Sequence, residues 1–195
     1  MSIAATPTKL HWNYFLALER DMDLVSRYVE FCEPNFSVFS VEFAHLLFAA
    51  ASEVDVVAKL LCECIDAAAP RGNINEYRAV FLPAIPDLPD MEVFVPRYGL
   101  SFKPWSNWAS NTNPVWWRSY NNVKHERDAY FHEATLKNSL NALGALLILT
   151  YYFYARKLAT VPNQILAPKD TTRELTPEST LLRLHEGFYY SIRIC

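Results

Sequence analysis

Hydrophobic residues recur along much of this chain every three or four positions, the spacing that is typical of amphipathic helices. The pattern predicts a first helix from Leu10 to Phe31 and a second from Val41 to Ala69, with Ser40 as its N-cap. Asp55 and Lys59 lie four residues apart and should pair on the second helix. The positions predicted to face the core are Tyr14, Leu18, Met22, Val25 and Val29 in the first helix and Phe43, Leu47, Ala50, Val54, Val57 and Leu61 in the second.

The pattern changes between Pro70 and Asn113, where prolines, aromatic residues and short alternating runs replace the helical spacing. A short helix is predicted over residues 73–81, whereas the proline-rich stretch 83–90 is unsuited to regular structure. The runs MEVFVP and LSFKPW, separated by RYG, predict a β-hairpin at about residues 91–104. Such an insertion either covers a functional face, binds a partner or packs its aromatic residues on the helices.

A long helix is predicted from Ala134 to Leu158, with the apolar run ALGALLILTYYFYA at its centre. This run of 14 residues is shorter than the roughly 20 that a membrane span requires. A buried bundle or dimer helix is therefore favoured. The tail, residues 161–195, begins like a linker and ends in a β-like run from Phe188 to Ile194 that can add a strand to the hairpin.

Composition favours a single domain, 1–195, because 195 residues of which 51% are hydrophobic can bury one core. With only four glycines, the chain is predicted to be mainly α, an up-and-down bundle of four to five helices with an inserted β-hairpin. A net charge of −3 argues against a protein that coats nucleic acid, which needs a strongly basic face. It leaves room for a small RNA site with local positive charge.

The four cysteines, Cys32, Cys62, Cys64 and Cys195, have no zinc-ribbon or paired spacing, so reduced structural thiols and no metal site are predicted. The first residues, MSIAATPTKLHW, lack the basic flank and apolar core of a signal peptide. A cytoplasmic protein is the resulting prediction.

The stretch from Pro114 to His132 concentrates aromatic, arginine, asparagine and histidine residues. A helix that starts at Pro114 has Trp116, Tyr120 and Val123 on one apolar stripe, which should face the core.

The opposite side of that helix is polar. Arg118 and His125 fall within about 20° of each other on the helical wheel, with Asn121 and Asn122 beside them. Their separation along the axis is about 10.5 Å, so one phosphodiester can lie between them. The outer face of an ordinary amphipathic helix has the same composition, so a solvated surface is the alternative interpretation. Glu53 of the second helix can face this cluster, although the sequence does not fix its rotation.

Two pairs in this stretch resemble the signature of the HEPN superfamily, an arginine followed by four to six residues and a histidine. Arg118 is followed by six residues and His125, and Arg127 by four residues and His132. Arg127 is also followed by the polar Asp128, as the signature usually shows. In a straight helix Arg127 would turn toward the core, so the second pair requires a chain break, predicted near Asp128 to Phe131.

A wider pattern is similar to bacterial HEPN-like proteins, and with the upstream helix from Ser40 to Cys62 it covers about half the chain. It consists of paired tryptophans, Tyr-Asn, Lys-His-x-Arg and a long Leu/Ala-rich helix. In this chain these are Trp116, Trp117, Tyr120, Asn121, Lys124, His125, Glu126, Arg127, Phe131, Ala134, Leu136, Asn138, Ala142 and Leu143.

The resemblance implies a homodimer whose motif faces meet, and a metal-independent RNA endonuclease of phage defence, abortive infection or a toxin system. His125 and Arg118 would be catalytic, acting on the 2′-hydroxyl proton and the phosphate charge. Asn121 or Asn122 would orient the imidazole or the ribose, and Lys124 and Arg127 would bind RNA. No cofactor is required. An antitoxin or another defence protein is a predicted partner.

Ser119 follows Arg118 where the HEPN signature usually has Asn, Asp or His. Arg127 with His132, which has Asp128 at that position, is the alternative catalytic pair. The alternative function is a non-catalytic HEPN-like dimerisation or binding module that acts with a partner protein. A third interpretation, a membrane-associated defence factor, depends on the apolar helix alone.

Overall fold

The fold is mainly helical, with one small hairpin. A computed structural model describes residues 8–161 and 164–190. Within these residues the helices are α1 (Leu10–Val25), α2 (Val41–Ile65), α3 (Ile74–Ala84), α4 (Val115–His125), α5 (Arg127–Tyr130), α6 (Leu136–Lys157) and α7 (Pro168–Glu174), and the strands are β1 (Val93–Val95) and β2 (Leu100–Phe102). The predicted helical bundle with an inserted hairpin is confirmed.

The core lies between α2 and α6, which pack along each other, with α1 and α4 against both. All six α2 residues that were predicted to face the core are buried. Sixteen of the 22 residues of α6 are also buried, which explains why its sequence is apolar around most of the helix. No helix among the described residues is long and apolar enough to cross a membrane.

The boundaries of the first helices differ from their predictions. α1 ends at Val25, and its buried face is formed by Trp12, Phe15, Leu18, Glu19 and Met22. Tyr14 was predicted to be in the core but is 42% exposed, because packing selects the neighbouring stripe that holds the larger Trp12.

Local caps fix the start and end of α2. The Ser40 hydroxyl accepts a hydrogen bond from the Phe43 amide at 3.1 Å, as predicted for an N-cap. The Lys59 ammonium lies 2.5 Å from the Asp55 carboxylate, which confirms the surface pair. The helix stops at Ile65, before the predicted Ala69, because Asp66 is extended and its carboxylate accepts from the Ala68 amide.

The hairpin packs on α6 at a glycine. β1 and β2 are antiparallel with Val93 opposite Phe102, and Gly99 takes the left-handed conformation at the turn, φ 62°. A β-carbon at Gly144 of α6 would lie 2.6 Å from a ring carbon of Phe102 and 3.3 Å from a methyl of Val93. The close approach of hairpin and helix therefore requires glycine at this position.

The tail is more structured than its linker-like composition indicates. It contains α7, and Arg183 exchanges backbone hydrogen bonds of 2.8 and 2.9 Å with Phe94 of β1. This bridge joins the tail to the hairpin at Arg183, whereas most of the run from Phe188 to Ile194 that was predicted to add a strand lies outside the described residues. Phe188 ends a short 3-10 helix, and residues 191–195 lie outside the described part of the chain.

A buried carboxylate joins the tail to α1. Glu19 is 3% exposed and accepts hydrogen bonds from the amides of Thr180, Leu181 and Leu182 at 3.0, 3.0 and 2.9 Å. The Ser179 hydroxyl donates to the same carboxylate. We call this set of five residues the Glu19 junction. It lets a charged side chain lie in the core, since each buried lone pair finds a donor.

Candidate functional site

The candidate site is built on α4, which packs against α2 and α6. Trp116, Tyr120 and Val123 are buried, so the predicted apolar stripe is confirmed. The Trp116 indole N–H donates to the Pro104 carbonyl at 2.8 Å and fixes the first turn. Pro114 is the N-cap and not the first helical residue. These contacts determine which side of α4 faces outward.

The outward side carries Arg118 and His125, and we call it the α4 outer face. Both side chains are exposed, and neither has a hydrogen bond, ion pair or ring contact with any other residue that the structure describes. The rise of an α-helix separates them by about 10.5 Å along the axis. The Arg118 guanidinium and the His125 imidazole are therefore both available to form hydrogen bonds with an incoming anion.

The two asparagines beside them are half-buried and already bonded. The Asn121 amide N–H donates to the Trp117 carbonyl one turn earlier at 2.8 Å. The Asn122 amide donates to both carboxylate oxygens of Glu133, at 3.3 and 3.1 Å. Neither side chain is hydrogen-bonded to His125, so the predicted orienting role is left to their carbonyl oxygens, which can still accept from a ligand.

The helix breaks directly after the α4 outer face. Glu126 has φ −138° and ψ 55°, so α4 ends at His125 and α5 starts at Arg127. The break was predicted a few residues later, near Asp128 to Phe131. It occurs earlier because Val123 is held in a small apolar cluster with Ala44 and Ala134, against which Tyr130 and Phe131 pack.

Lys124 and Arg127 lie over an aromatic shelf formed by Tyr120 and Phe48, whose rings meet edge to face at 6.0 Å. The Lys124 ammonium lies 5.3 Å from the Tyr120 ring centre and 3.3 Å from its hydroxyl oxygen. The Arg127 guanidinium lies 5.1 Å from the Phe48 ring centre. Both cations are exposed, and cation–π contact of this kind leaves their N–H groups available to a phosphate.

Arg127 and His132, the alternative pair, contact different aromatic side chains. His132 lies on a short 3-10 helix, Phe131–Glu133, where its exposed ring is tilted against Tyr130 at 6.4 Å. Arg127 contacts Phe48 instead. The chain break at Glu126 meets the requirement for this pair. Arg127 and His132 nevertheless do not contact each other.

A polar pair that the sequence analysis missed lies on the α1 side. His11 Nδ1 is 2.6 Å from a Glu53 carboxylate oxygen, and each side chain is 14% exposed. The His11 ring packs edge to face on Phe153 at 5.5 Å. Glu53 is thus bonded to α1 and not to the α4 cluster. No local signal could reveal the pair, because 42 residues separate its members.

Burial raises the pKa values of two thiols and several tyrosines. It raises the pKa of the buried Cys62 thiol to about 12 and also raises that of Cys64. The pKa of Tyr154 is raised by burial as well, and hydrogen bonds from the backbone of His11 and Trp12 oppose this. A thiol with a raised pKa is a poor nucleophile. Among the described residues, no three His, Cys, Asp or Glu side chains are grouped so that they could hold a metal ion.

Comparisons of the chain with protein-family models, with curated protein sequences and with solved structures found no match.

Proposed function

We propose that this chain is a metal-independent RNA endonuclease of HEPN type, with the α4 outer face as its active site. The observation that carries the proposal is the state of Arg118 and His125. They share one exposed helix face, and no described residue occupies their polar atoms. The resemblance of the surrounding sequence to HEPN proteins supplies the reaction, and with it a role in phage defence or a toxin system.

The reaction needs one base and one cation. His125 takes the proton of a ribose 2′-hydroxyl while that oxygen attacks the adjacent phosphorus, a role that suits the imidazole near neutral pH. Arg118 donates hydrogen bonds to the phosphate oxygens as negative charge builds on them. The bond to the 5′-oxygen breaks, that oxygen takes up a proton, and the products carry a 2′,3′-cyclic phosphate and a 5′-hydroxyl.

Lys124 and Arg127 hold the neighbouring phosphates in this scheme. They lie on the aromatic shelf next to the α4 outer face, so that Arg118, Lys124 and Arg127 place three cations within ten residues, with Glu126 the one acidic residue among them. Long-range attraction of a polyanion needs such a local cluster and not a basic protein as a whole.

The proposed enzyme is a homodimer. His125 has no orienting group among the described residues of its own chain, and a second copy docked on the α4 outer face can supply one. A symmetric pairing of this face brings both Arg118 and His125 sets together across the two-fold axis.

The test is cleavage of a mixed RNA pool by purified protein in the presence of a chelator. We expect the wild type to leave 2′,3′-cyclic phosphate ends. Both His125→Ala and Arg118→Ala should lower the rate by about 100-fold or more, since each removes a group that acts in the transition state. Two matched controls, His45→Ala and Arg20→Ala, remove exposed residues of the same types from α2 and α1 and should cleave like wild type.

Other outcomes would change the proposal. Cleavage that survives both changes but is lost in Arg127→Ala or His132→Ala would move the site to the alternative pair. No cleavage by the wild type, together with harmless overexpression in cells, would favour the second candidate function below.

That second candidate is a non-catalytic HEPN-like module that dimerises or binds a partner protein. Two observations favour it. Ser119, the residue after the motif arginine, is 2% exposed and so faces the core, where it cannot assist at the outer face. A groove of about 670 Å³ between α1 and α2 is bordered by apolar residues, among them Leu24 and the 84% exposed Tyr28. An apolar surface of this kind is typical of binding sites for proteins.

A further inference from the structure

A second groove, of about 650 Å³, lies at the start of α4, between β2, the segment after it, and the first turns of α6. We call it the amide groove, because Asn107, Asn138 and Asn141 line it. Half-buried faces of Phe36 and Phe102 form part of its apolar wall. Its size falls within the range of small-ligand sites in proteins.

The charge of the amide groove is positive in a chain whose net charge is negative. Lys103 and Lys137 line it, and no Asp or Glu is among the described residues of its wall. The Lys137 ammonium group has no hydrogen bond or ion pair with another described residue. Lys103 is paired with Asp90 at 3.2 Å, but both side chains are well exposed. An exposed pair of this kind is weak, so Lys103 can turn to a ligand anion at little cost.

The side-chain oxygens of Asn138 and Asn141 are available to accept hydrogen bonds from a ligand. The Asn141 amide N–H donates to the Lys137 carbonyl at 2.8 Å, and the Asn138 amide donates to the Glu133 carbonyl at 2.8 Å. Each therefore keeps its side-chain oxygen free, which can accept from the N–H groups of a base. Aromatic faces, amide oxygens and ammonium groups are the three partners that unpaired nucleotides use.

The amide groove and the α4 outer face lie next to each other on one helix. Val115 lines the groove and is three residues, hence one turn, before Arg118. A second connection runs through Glu133, whose carboxylate binds Asn122 of α4 and whose carbonyl binds Asn138 of the groove. A strand that leaves the groove along α4 would meet Arg118 first and His125 after it.

We propose that the amide groove binds the single-stranded RNA segment next to the scissile phosphate. Bases pack on Phe36 and Phe102, and backbone phosphates lie at Lys103 and Lys137. This inference rests on the proposed function, for which it supplies the substrate class, unpaired RNA and not duplex. The walls hold bases that a duplex would keep stacked and paired.

The test measures binding without cleavage. A fluorescein-labelled 2′-O-methyl oligouridine has no free 2′-hydroxyl and cannot be cut by the proposed reaction, so its anisotropy reports binding alone. We expect Lys137→Ala to weaken binding several-fold and to lower the slope of log K against log salt by about 0.7, and Lys103→Ala with Lys137→Ala by about 1.4. Lys157→Ala, an exposed lysine at the far end of the same helix, should change neither quantity.

A second variant tests the stacking part of the inference. Phe102→Leu keeps an apolar side chain on the wall but removes the aromatic face, and we expect about ten-fold weaker binding. A thermal melt that matches wild type is required of each variant, because Phe102 also contacts Gly144.

Three outcomes would overturn the inference. The first is wild-type affinity in both lysine variants, and the second is equal affinity for a duplex of the same length. The third is equal affinity for a labelled poly-glutamate peptide, which would mark a site for acidic protein segments. These results are distinguishable from failure of the proposed function. Wild-type cleavage with unaffected groove variants removes only the groove, whereas lysine-dependent binding without any cleavage removes only the nuclease.

Discussion

The Glu19 junction and the α4 outer face handle polar groups in opposite ways. Glu19 is buried, and four donors from the tail saturate its carboxylate. Arg118 and His125 are exposed and have no partner among the described residues. A buried polar group must be satisfied or the fold loses free energy, whereas an exposed one is satisfied by water. Stability therefore explains the Glu19 junction, whereas it does not require Arg118 and His125 on the α4 outer face, for which we propose a functional role.

The largest effect on stability is expected at the Glu19 junction. Glu19→Ala leaves the amides of Thr180, Leu181 and Leu182 buried or half-buried without their acceptor, and we expect the free energy of unfolding to fall by about 4 kcal/mol. Urea denaturation followed by circular dichroism measures this. Asp21→Ala, an exposed carboxylate two residues later, is the control and should change little. Equal stability of the two variants would show that the tail is not fixed by this contact.

A smaller loss is expected where the hairpin meets α6. Gly144→Ala forces the Phe102 ring or the helix to move, because the new methyl would lie 2.6 Å from a ring carbon. We expect a loss of about 2 kcal/mol, part of the strain being offset by the better helix propensity of alanine. Combining the change with Phe102→Leu should restore part of the stability in the same denaturation assay. An unchanged or raised stability of Gly144→Ala would mean that the hairpin is not packed this closely.

The third prediction concerns alkaline pH. Burial raises the pKa of the Cys62 thiol from 9.0 to about 12, so the folded state keeps a proton that the unfolded state loses. This contribution is complete below pH 9.0 and is lost as the pH rises toward 12, at about 1.4 kcal/mol per pH unit. Tyr77 and Tyr151, whose pKa values burial also raises, add to the loss above pH 10.0.

The contribution of the Cys62 thiol to stability is measured by comparing the denaturation midpoints of wild type and Cys62→Ala across this pH range. The variant should lose stability less steeply between about pH 9 and 10, the interval in which the unfolded thiol ionises before the tyrosines do. Parallel curves would contradict the assignment of Cys62 to a site that excludes its charged form.

The smallest effect is expected on the α4 outer face. Arg118→Ala and His125→Ala should each change the free energy of unfolding by less than about 0.5 kcal/mol, because neither side chain has a partner to lose. Asn122→Ala is the informative neighbour, since its bond to Glu133 should make it cost about 1 kcal/mol. A large loss in Arg118→Ala would show that the arginine is structural, and the comparison with the Glu19 junction would no longer hold.

The periodicity of the sequence predicted most secondary-structure elements, but it did not predict which distant residues contact each other. The stripe of Trp116, Tyr120 and Val123 could be read from the sequence, because an α-helix has a fixed angle per residue, and burial of that stripe determines which residues remain outside. The same method placed Tyr14 in the core, since two neighbouring stripes of α1 are both apolar and only packing chooses between them. It also described the tail as a linker, although α7 and the contacts of Arg183 order it.

The sequence by itself determined the helices α1 to α4 and α6, the hairpin and the polar composition of the α4 outer face, because these follow from spacings within one or two turns. Only the tertiary structure decided that Glu19 binds residues 160 to 163 positions away, that His11 pairs with Glu53, and that residues of β2, α4 and α6 form the amide groove. The physical reason is that a sequence pattern reports only on residues that are close together along the chain. Local periodicity fixes which side of a helix is apolar, but the partner of a buried polar group depends on how distant segments pack, which no spacing along the chain records.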